Sequence, residues 1–501
     1  MSLQVTRYPL KFASDDRRVI TRLFTPDGEP RVRAVADRVL TLHDDEADAL
    51  LQQVLLGFGD WHRDIRSIFQ ENYRLIAHLI EADGEWSETR KLLLGAYHTM
   101  EYAIESAALF NPSIVPHPDQ SGLPSGSTRF IMSLRATGEG HISSICFRTG
   151  VIDRDLNYHF DPVGRVLHRA KQKEDRLYEN RLFTLKLMEM NVDMAEAGSI
   201  LGDLGDHFTF AELNHVITQK WPDQADNPGF QHTVNASLWL ARSNYQLILP
   251  ADCSVSDIVI FPNSDNESNG IEDLRLVRFV DDDGTVTYYG TYTAFNGTHI
   301  LPQLLETNQF ATIGIHTLNG QFVQNKGMAL FPRRVHGQYM MLARIDGENH
   351  FLMRSDNPYF WNVAQVLQRP QYSWEFVQVG NCGSPIETPE GWLVLTHGVG
   401  PMRQYCIGAM LLDLEDPSRV IGNLREPLLV PNEEEREGYV PNVVYSCGSM
   451  VHQGHLIMPY AMSDTATSVA TVALADLLNA LTCRPTKQPS IERVLASGDC
   501  I

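Results

Sequence analysis

Residues 130–141 read FIMSLRATGEGH, and residues 339–350 read YMMLARIDGENH. Each is an apolar run of strand character followed by the spacing R-x-x-G-E-x-H. The polar positions are Arg135, Gly138, Glu139 and His141 in one copy, and Arg344, Gly347, Glu348 and His350 in the other. A chance echo is the bland alternative. Radial repetition of small sheets gives the sharper reading, because equivalent strands then recur around one axis. The echo therefore favours a β-propeller among the all-β architectures.

The surrounding texture agrees. RFIMSL, VTYYGTYTAF, YMMLAR and GWLVLTHGV are short runs rich in β-formers, separated by DDDG, NG, HG and PEG turn signals. Many short strands at turn-limited spacing predict a mainly β chain. Upstream the period changes. Ile65, Ile68, Phe69, Tyr73, Ile76, Leu79 and Ile80 recur at helical spacing, with Gly84 as a stop. Segments 46–58 and 88–110 also read as helix, and Asn111-Pro112 marks a boundary, since a residue before proline leaves the α region. The expected layout is a helical region over 1–110 for packing or homo-oligomerisation, a propeller over 111–485 with a partly helical insertion near 178–220, and a tail over 486–501.

Of the 501 residues, 43% are apolar and 21% charged, with 62 acidic against 41 basic side chains and a formal charge of −21. That surplus disfavours nucleic-acid backbones and anionic lipid as partners. The first residues have no signal-peptide pattern and no run is long enough to span a bilayer, so a cytoplasmic setting is expected. Seven scattered cysteines without a C-x-x-C pair argue against a disulfide framework or thiolate metal site.

No G-x-S-x-G elbow, phosphate-binding P-loop or H-E-x-x-H helix occurs. His452 and His455 form an H-x-x-H without a third ligand nearby, and G-E-G-H at 138–141 lacks a third glycine. Neither a metal nor an organic cofactor is expected.

The densest polar knot is Glu267-Ser-Asn-Gly-Ile-Glu272-Asp273-Leu-Arg275. Strand alternation would place Asp273 and Arg275 on one face and Glu272 on the other. The knot reads either as a solvated turn with a surface ion pair or as a carboxyl acid tuned by an arginine. Lys326 in an apolar stretch, Arg344 with Asp346, Glu387, His397 and the Glu437–Tyr445 segment form further knots. Each alone reads as a turn, a rim charge or a core histidine. Brought to one axial funnel, carboxylates with aromatic and basic groups suit a carbohydrate.

The motifs GIEDLR (270–275), NKGMALFP (325–332), GSPIETPEGWLVLTHGV (383–399), LLDLEDPSRVI (411–421) and GYVPNVVYSCG (438–448) resemble glycoside hydrolase family 130, the β-mannoside phosphorylases and mannosidases. The resemblance runs with gaps from about 111 to 480. It implies a five-bladed β-propeller with its site in the central funnel, while the helical extension lies outside the family core. It also implies Asp273 as general acid, with Leu274 in place of the family's usual proline, and an inverting outcome. Asn111, Arg135, Arg275, Tyr292, Asp346 and Asp464 would line the β-mannoside subsites.

By the same resemblance, Lys326, Arg344 and His397 stand where the family pattern has basic or polar residues, and would be the groups to hold phosphate in a phosphorylase. The arginine usual after the family's Y-T strand is absent from the Tyr292–His299 segment, and the later S-x-D-x-x-W segment is replaced by IHTLNG. This favours hydrolysis of short β-1,2- or β-1,4-mannosides, with Glu387 or Glu437 as base. Phosphorolysis with inorganic phosphate is the near alternative, and a noncatalytic sugar- or protein-binding propeller the more distant one.

Overall fold

The computed structural model describes residues 3–80, 86–164, 167–173, 175–250 and 253–482. The expected tail at 486–501, Gly84, Cys483 and Cys500 lie outside the described residues. The chain is mainly β, and among the described residues its principal strands form five successive antiparallel sets of four, called sheets below; the first two are joined in one larger sheet where Gly270 pairs in parallel with Ser143, and two short strand pairs stand apart.

The first sheet comprises Ala108–Pro116, Thr128–Thr137, Ser143–Ile152 and Tyr158–Phe160. The second runs Gly270–Val280, Val286–Phe295, Ile300–Thr307 and Thr312–Thr317. The third holds Lys326–Leu330, Tyr339–Arg344, His350–Ser355 and Val363–Gln368. The fourth holds Gln378–Asn381, Gly391–Val399, Tyr405–Leu412 and Val420–Asn423. In the fifth, Val444–Tyr445, His455–Met462 and Ala466–Ala473 are completed by Thr6–Arg7 from the start of the chain. The echoed segments are thus equivalent in place: each is the second strand of its sheet and the turn after it.

Hydrogen bonds stitch neighbouring sheets near their first strands. Leu276 N–H donates to Ser113 Oγ between the first two sheets. The Thr291 hydroxyl donates to the Met328 carbonyl, and Asn381 Nδ2 to the Gly327 carbonyl, joining second to third and third to fourth. Tyr405 N–H donates to the Asn442 carbonyl, and Cys447 N–H to the Pro112 carbonyl, so the fifth sheet is tied to both the fourth and the first. Apolar side chains fill the spaces between sheets: Ala329, Leu342, Trp392 and Met410 lie between the third and fourth, and Ile114, Met132, Ile457 and Val469 between the first and fifth.

Helices occupy Glu29–Leu40, Asp44–Phe58, Ile65–Ile76 and Glu88–Tyr97. The last packs so closely on Ile65–Ile76 that a Cβ at Gly95 would lie 1.8 Å from the Phe69 carbonyl oxygen. The helix expected to reach 110 stops at Tyr97. Thr99–Ala103, with its β-forming Thr and Tyr, pairs instead with Val19–Leu23. Asn111-Pro112 consequently lies inside a strand, at an irregularity between Phe110 and Ser113, rather than between a helix and a sheet. Where a partly helical stretch near 178–220 was expected, helices run on further: Asn180–Glu189, Met194–Leu201, Phe210–Gln224 and Pro228–Ser243. Asn227-Pro228 looks like a breaker but opens the last helix, with Asn227 as its cap and the proline in its first turn.

Arg7 anchors the strand that completes the fifth sheet. It bonds to Glu435 at 2.9 Å and to the Val430 carbonyl at 2.7 Å, while Glu435 also accepts from Tyr460. Arg7→Met is expected to lower the melting temperature through a loss of about 2 kcal/mol. Arg17→Met, which removes only the exposed pair with Asp15, is expected to leave it unchanged. Equal effects of the two would contradict this role for Arg7.

Candidate active site

The first strands converge, and each contributes a polar side chain to a common region: Asn111, then Glu272 and Asp273, Lys326, Asn381 and Tyr445. Several of these strands are irregular where they deliver it. The second sheet shifts register between Glu272 and Arg275, and Asp273 there has φ +57°. Asn111 has φ +49° at its own irregularity, and the third sheet shifts between Lys326 and Ala329 with Gly327 at φ +80°. A bulge bends a strand and re-aims its side chains. Glu272 and Asp273 therefore both reach Arg135, and the alternation that set Glu272 on the opposite face fails.

Asp273 is the centre of the arrangement. Its Oδ1 accepts from Asn111 Nδ2 at 2.6 Å and lies 3.5 Å from Arg135 Nη1. Burial alone would raise the carboxyl, but Arg135, Arg275 and Lys326, with the Asn111 bond, hold it below its ordinary value. Glu272, which the sequence reading missed, accepts from Arg135 Nη2 at 2.9 Å and from Lys326 Nζ at 2.6 Å. The only sequence signal for Glu272 is its adjacency to Asp273. Arg275 does not face outward as a ligand would. Buried, it donates to the Asp273 carbonyl at 3.0 Å and to the Tyr445 hydroxyl at 2.6 Å, holding the bulge in place.

Asp464 sits in the turn between the middle strands of the fifth sheet, at φ +51°. Burial and the neighbouring Asp273 push its carboxyl up to about 6, against the pull of Arg135 and Arg403. On the other side, Arg344 is the register partner of Lys326. Its guanidinium donates to His397 Nε2 at 3.2 Å, and His397 Nδ1 in turn donates to the Asn381 carbonyl at 3.0 Å. Burial, then Arg344, hold His397 well below its ordinary pKa, which keeps it neutral and able to accept. Among the described residues no carboxylate lies within ion-pair distance of Arg344, and its buried Nε has no hydrogen-bond partner.

The family profile described as beta-1,4-mannooligosaccharide phosphorylase matches residues 253–483. A 1,2-beta-oligomannan phosphorylase from Thermoanaerobacter sp. (strain X514) is 33% identical over 222 residues, covering 44% of this chain and 73% of that protein. A beta-1,2-mannobiose phosphorylase from Listeria innocua is 28% identical over 229 residues, covering 44% of this chain and 63% of its own. The chain belongs to glycoside hydrolase family 130.

Within this family-130 chain the remaining sequence candidates fall elsewhere. Tyr292 is buried inside the second sheet, where its hydroxyl bonds to Glu267 at 2.7 Å and to Gln303. The alternation of its strand turns it away from the convergent strand edges. Asp346 accepts from the Glu348 and Asn349 N–H groups and from Asn349 Nδ2, so it shapes the turn after Arg344. Glu387 pairs with Arg333 at 2.7 Å in an outer hairpin, and Arg333 in turn covers the Trp392 ring. Glu437 is exposed on the loop before Tyr439, whose ring stacks on His141. His452 and His455 take ordinary loop partners, the Asp153 and Gln453 carbonyls. Among the described residues no helix is long and apolar enough to cross a membrane.

The raised Asp464 carboxyl gives a signed stability prediction. A group whose folded value is about 6 against an ordinary 3.8 disfavours the folded state increasingly as pH rises from about 4 to about 6. Asp464→Asn is expected to raise the melting temperature at pH 7.5 and to match wild type near pH 4. An equal shift at both pH values would contradict the assigned environment.

Proposed function

We propose that this chain is an inverting β-mannoside phosphorylase acting on short β-1,2- or β-1,4-linked mannosides, built as a five-bladed propeller with helical additions. The five four-stranded sheets, each bonded to the next and the fifth bonded to the first, support that architecture.

The observation that carries the chemistry is Arg344. It is a cation beside Lys326 and, among the described residues, has a neutral histidine and no carboxylate as its side-chain partner. A group left in that state suits an anion, and a phosphate accepts two parallel N–H bonds from a guanidinium. The family profile and both relatives carry phosphorylase descriptions. The expectation of hydrolysis loses its support. Its candidate bases Glu387 and Glu437 are, respectively, paired in an outer hairpin and exposed on a loop.

In this reading Asp273 supplies the proton to the glycosidic oxygen as that bond breaks, directly or through a sugar hydroxyl. Phosphate forms the new bond at the anomeric carbon from the opposite face, giving inversion. Arg135, Asn111 and Asp464 surround the mannosyl unit. Phosphate arriving at Arg344 and Lys326 takes up part of the positive field that holds Asp273 low, so its binding brings the acid closer to the protonated state it needs.

The test is incubation with β-1,2- and β-1,4-mannobiose with and without phosphate. Mannose 1-phosphate released only with phosphate is expected. Mannose released at equal rates in both would sink the proposal. Arg344→Met is expected to raise the KM for phosphate at least tenfold while changing the KM for mannobiose less than twofold. No turnover of any β-mannoside, with Asp273→Asn binding sugars as wild type does, would favour a noncatalytic propeller.

A further inference from the structure

Glu272 lies beside the proposed acid, yet the reaction gives it no bond to make or break. Its two oxygens are taken by two different cations, Arg135 Nη2 at 2.9 Å and Lys326 Nζ at 2.6 Å. Those same cations act on Asp273, Arg135 at the longer distance of 3.5 Å and Lys326 without an ion pair. Both carboxylates are largely buried, so solvent screens them little.

We infer that Glu272 is a positioning residue, which draws Arg135 and Lys326 toward itself and leaves Asp273 able to hold the proton it donates. The inference rests on the phosphorylase reading and adds to it a residue that sets the acid's working range.

The groups facing Asp273 make the direction definite. Arg135 comes from the first sheet, Arg275 from its own strand, and Lys326 from the third sheet. From the fifth sheet come Asp464 and the un-ionised Tyr445 and Cys447, both raised by burial. The fourth sheet presents His397, held neutral, and the exposed turn at Arg403. Three cations (Arg135, Arg275, Lys326) thus meet three carboxylates (Glu272, Asp273, Asp464). Removing the charge of Glu272 leaves the cations in surplus around Asp273, and its proton becomes harder to hold. Ion pairs with Glu272 also fix the two cations in space, and a neutral amide at the same place would hold them less firmly.

The experiment is the pH dependence of kcat at saturating β-1,2-mannobiose and phosphate. An acid that must be protonated gives a limb on which kcat falls as pH rises. Glu272→Gln is expected to move that limb down by about one pH unit, which is about tenfold in kcat at a fixed pH on the limb. Adding Lys326→Met to Glu272→Gln removes the surplus cation and is expected to return the limb toward wild type. Lys326→Met alone is expected to move it upward, which keeps the inference testable if Glu272→Gln fails to fold. A limb that stays in place in Glu272→Gln, whether or not kcat falls uniformly, overturns the inference. So does a double variant no closer to wild type than Glu272→Gln alone. If wild type releases no mannose 1-phosphate at any pH, the phosphorylase reading itself has failed, which is a different result.

Discussion

Two carboxylates adjacent in sequence, Glu272 and Asp273, are buried in one site, and isolated charges there would be strongly disfavoured by desolvation. Arg135 answers this by bonding Glu272 and facing Asp273 at once, with Lys326 on the far oxygen of Glu272 and Asn111 on Asp273. These partners arrive from the first and third sheets, and the two carboxylates from the second. The charge cluster can exist only if the sheets converge, and the sheets converge only where the cluster is neutralised. Fold and site are one constraint seen from two sides.

Local backbone geometry makes the convergence useful. Asn111, Asp273 and Asp464 all hold positive φ without being glycine, a conformation that costs on the order of 1 kcal/mol or more and persists where its surroundings over-determine it. Each has such surroundings. Arg275 is bonded to the Asp273 carbonyl, Asn111 is held by Asp273 itself, and Ser463, next to Asp464, is tied to the Glu435 carbonyl. Glu435 is in turn the residue that Arg7 anchors, which links the completed fifth sheet to the turn carrying Asp464.

Much of this was legible in the sequence. The β texture and the R-x-x-G-E-x-H echo followed from residue types and spacing, whereas Asp273 and Arg135 were singled out as site residues by the family resemblance. Period-two alternation was the argument that failed at Glu272, because a bulge at Asp273 adds a residue to the strand and no propensity of Glu or Asp announces it. Tyr292 was misplaced for the opposite reason: its strand alternates regularly, and the resemblance named the position without saying which way the ring points. Glu387 and Asp346 were plausible as charges near turns, yet Asp346 is taken up by Asn349 three residues on and Glu387 by Arg333 from 54 residues away, and neither pairing is announced by residue type. The helical stretch expected near 178–220 runs on to Ser243, because Asn227-Pro228 opens a further helix rather than ending one.

The remaining contrast lies between Asp273, held low by its cations, and Arg344, whose side-chain hydrogen-bond partner among the described residues is His397. In the proposed reading an anion at Arg344 would complete the charge pattern, and a water molecule would not. Digestion of β-1,2-mannobiose in H₂¹⁸O with phosphate present, followed by mass spectrometry of the products, tests this most directly. The account predicts that the mannosyl unit leaves as mannose 1-phosphate with no ¹⁸O at its anomeric carbon when the reaction is quenched early. Free mannose carrying ¹⁸O as the primary product of that unit would contradict it.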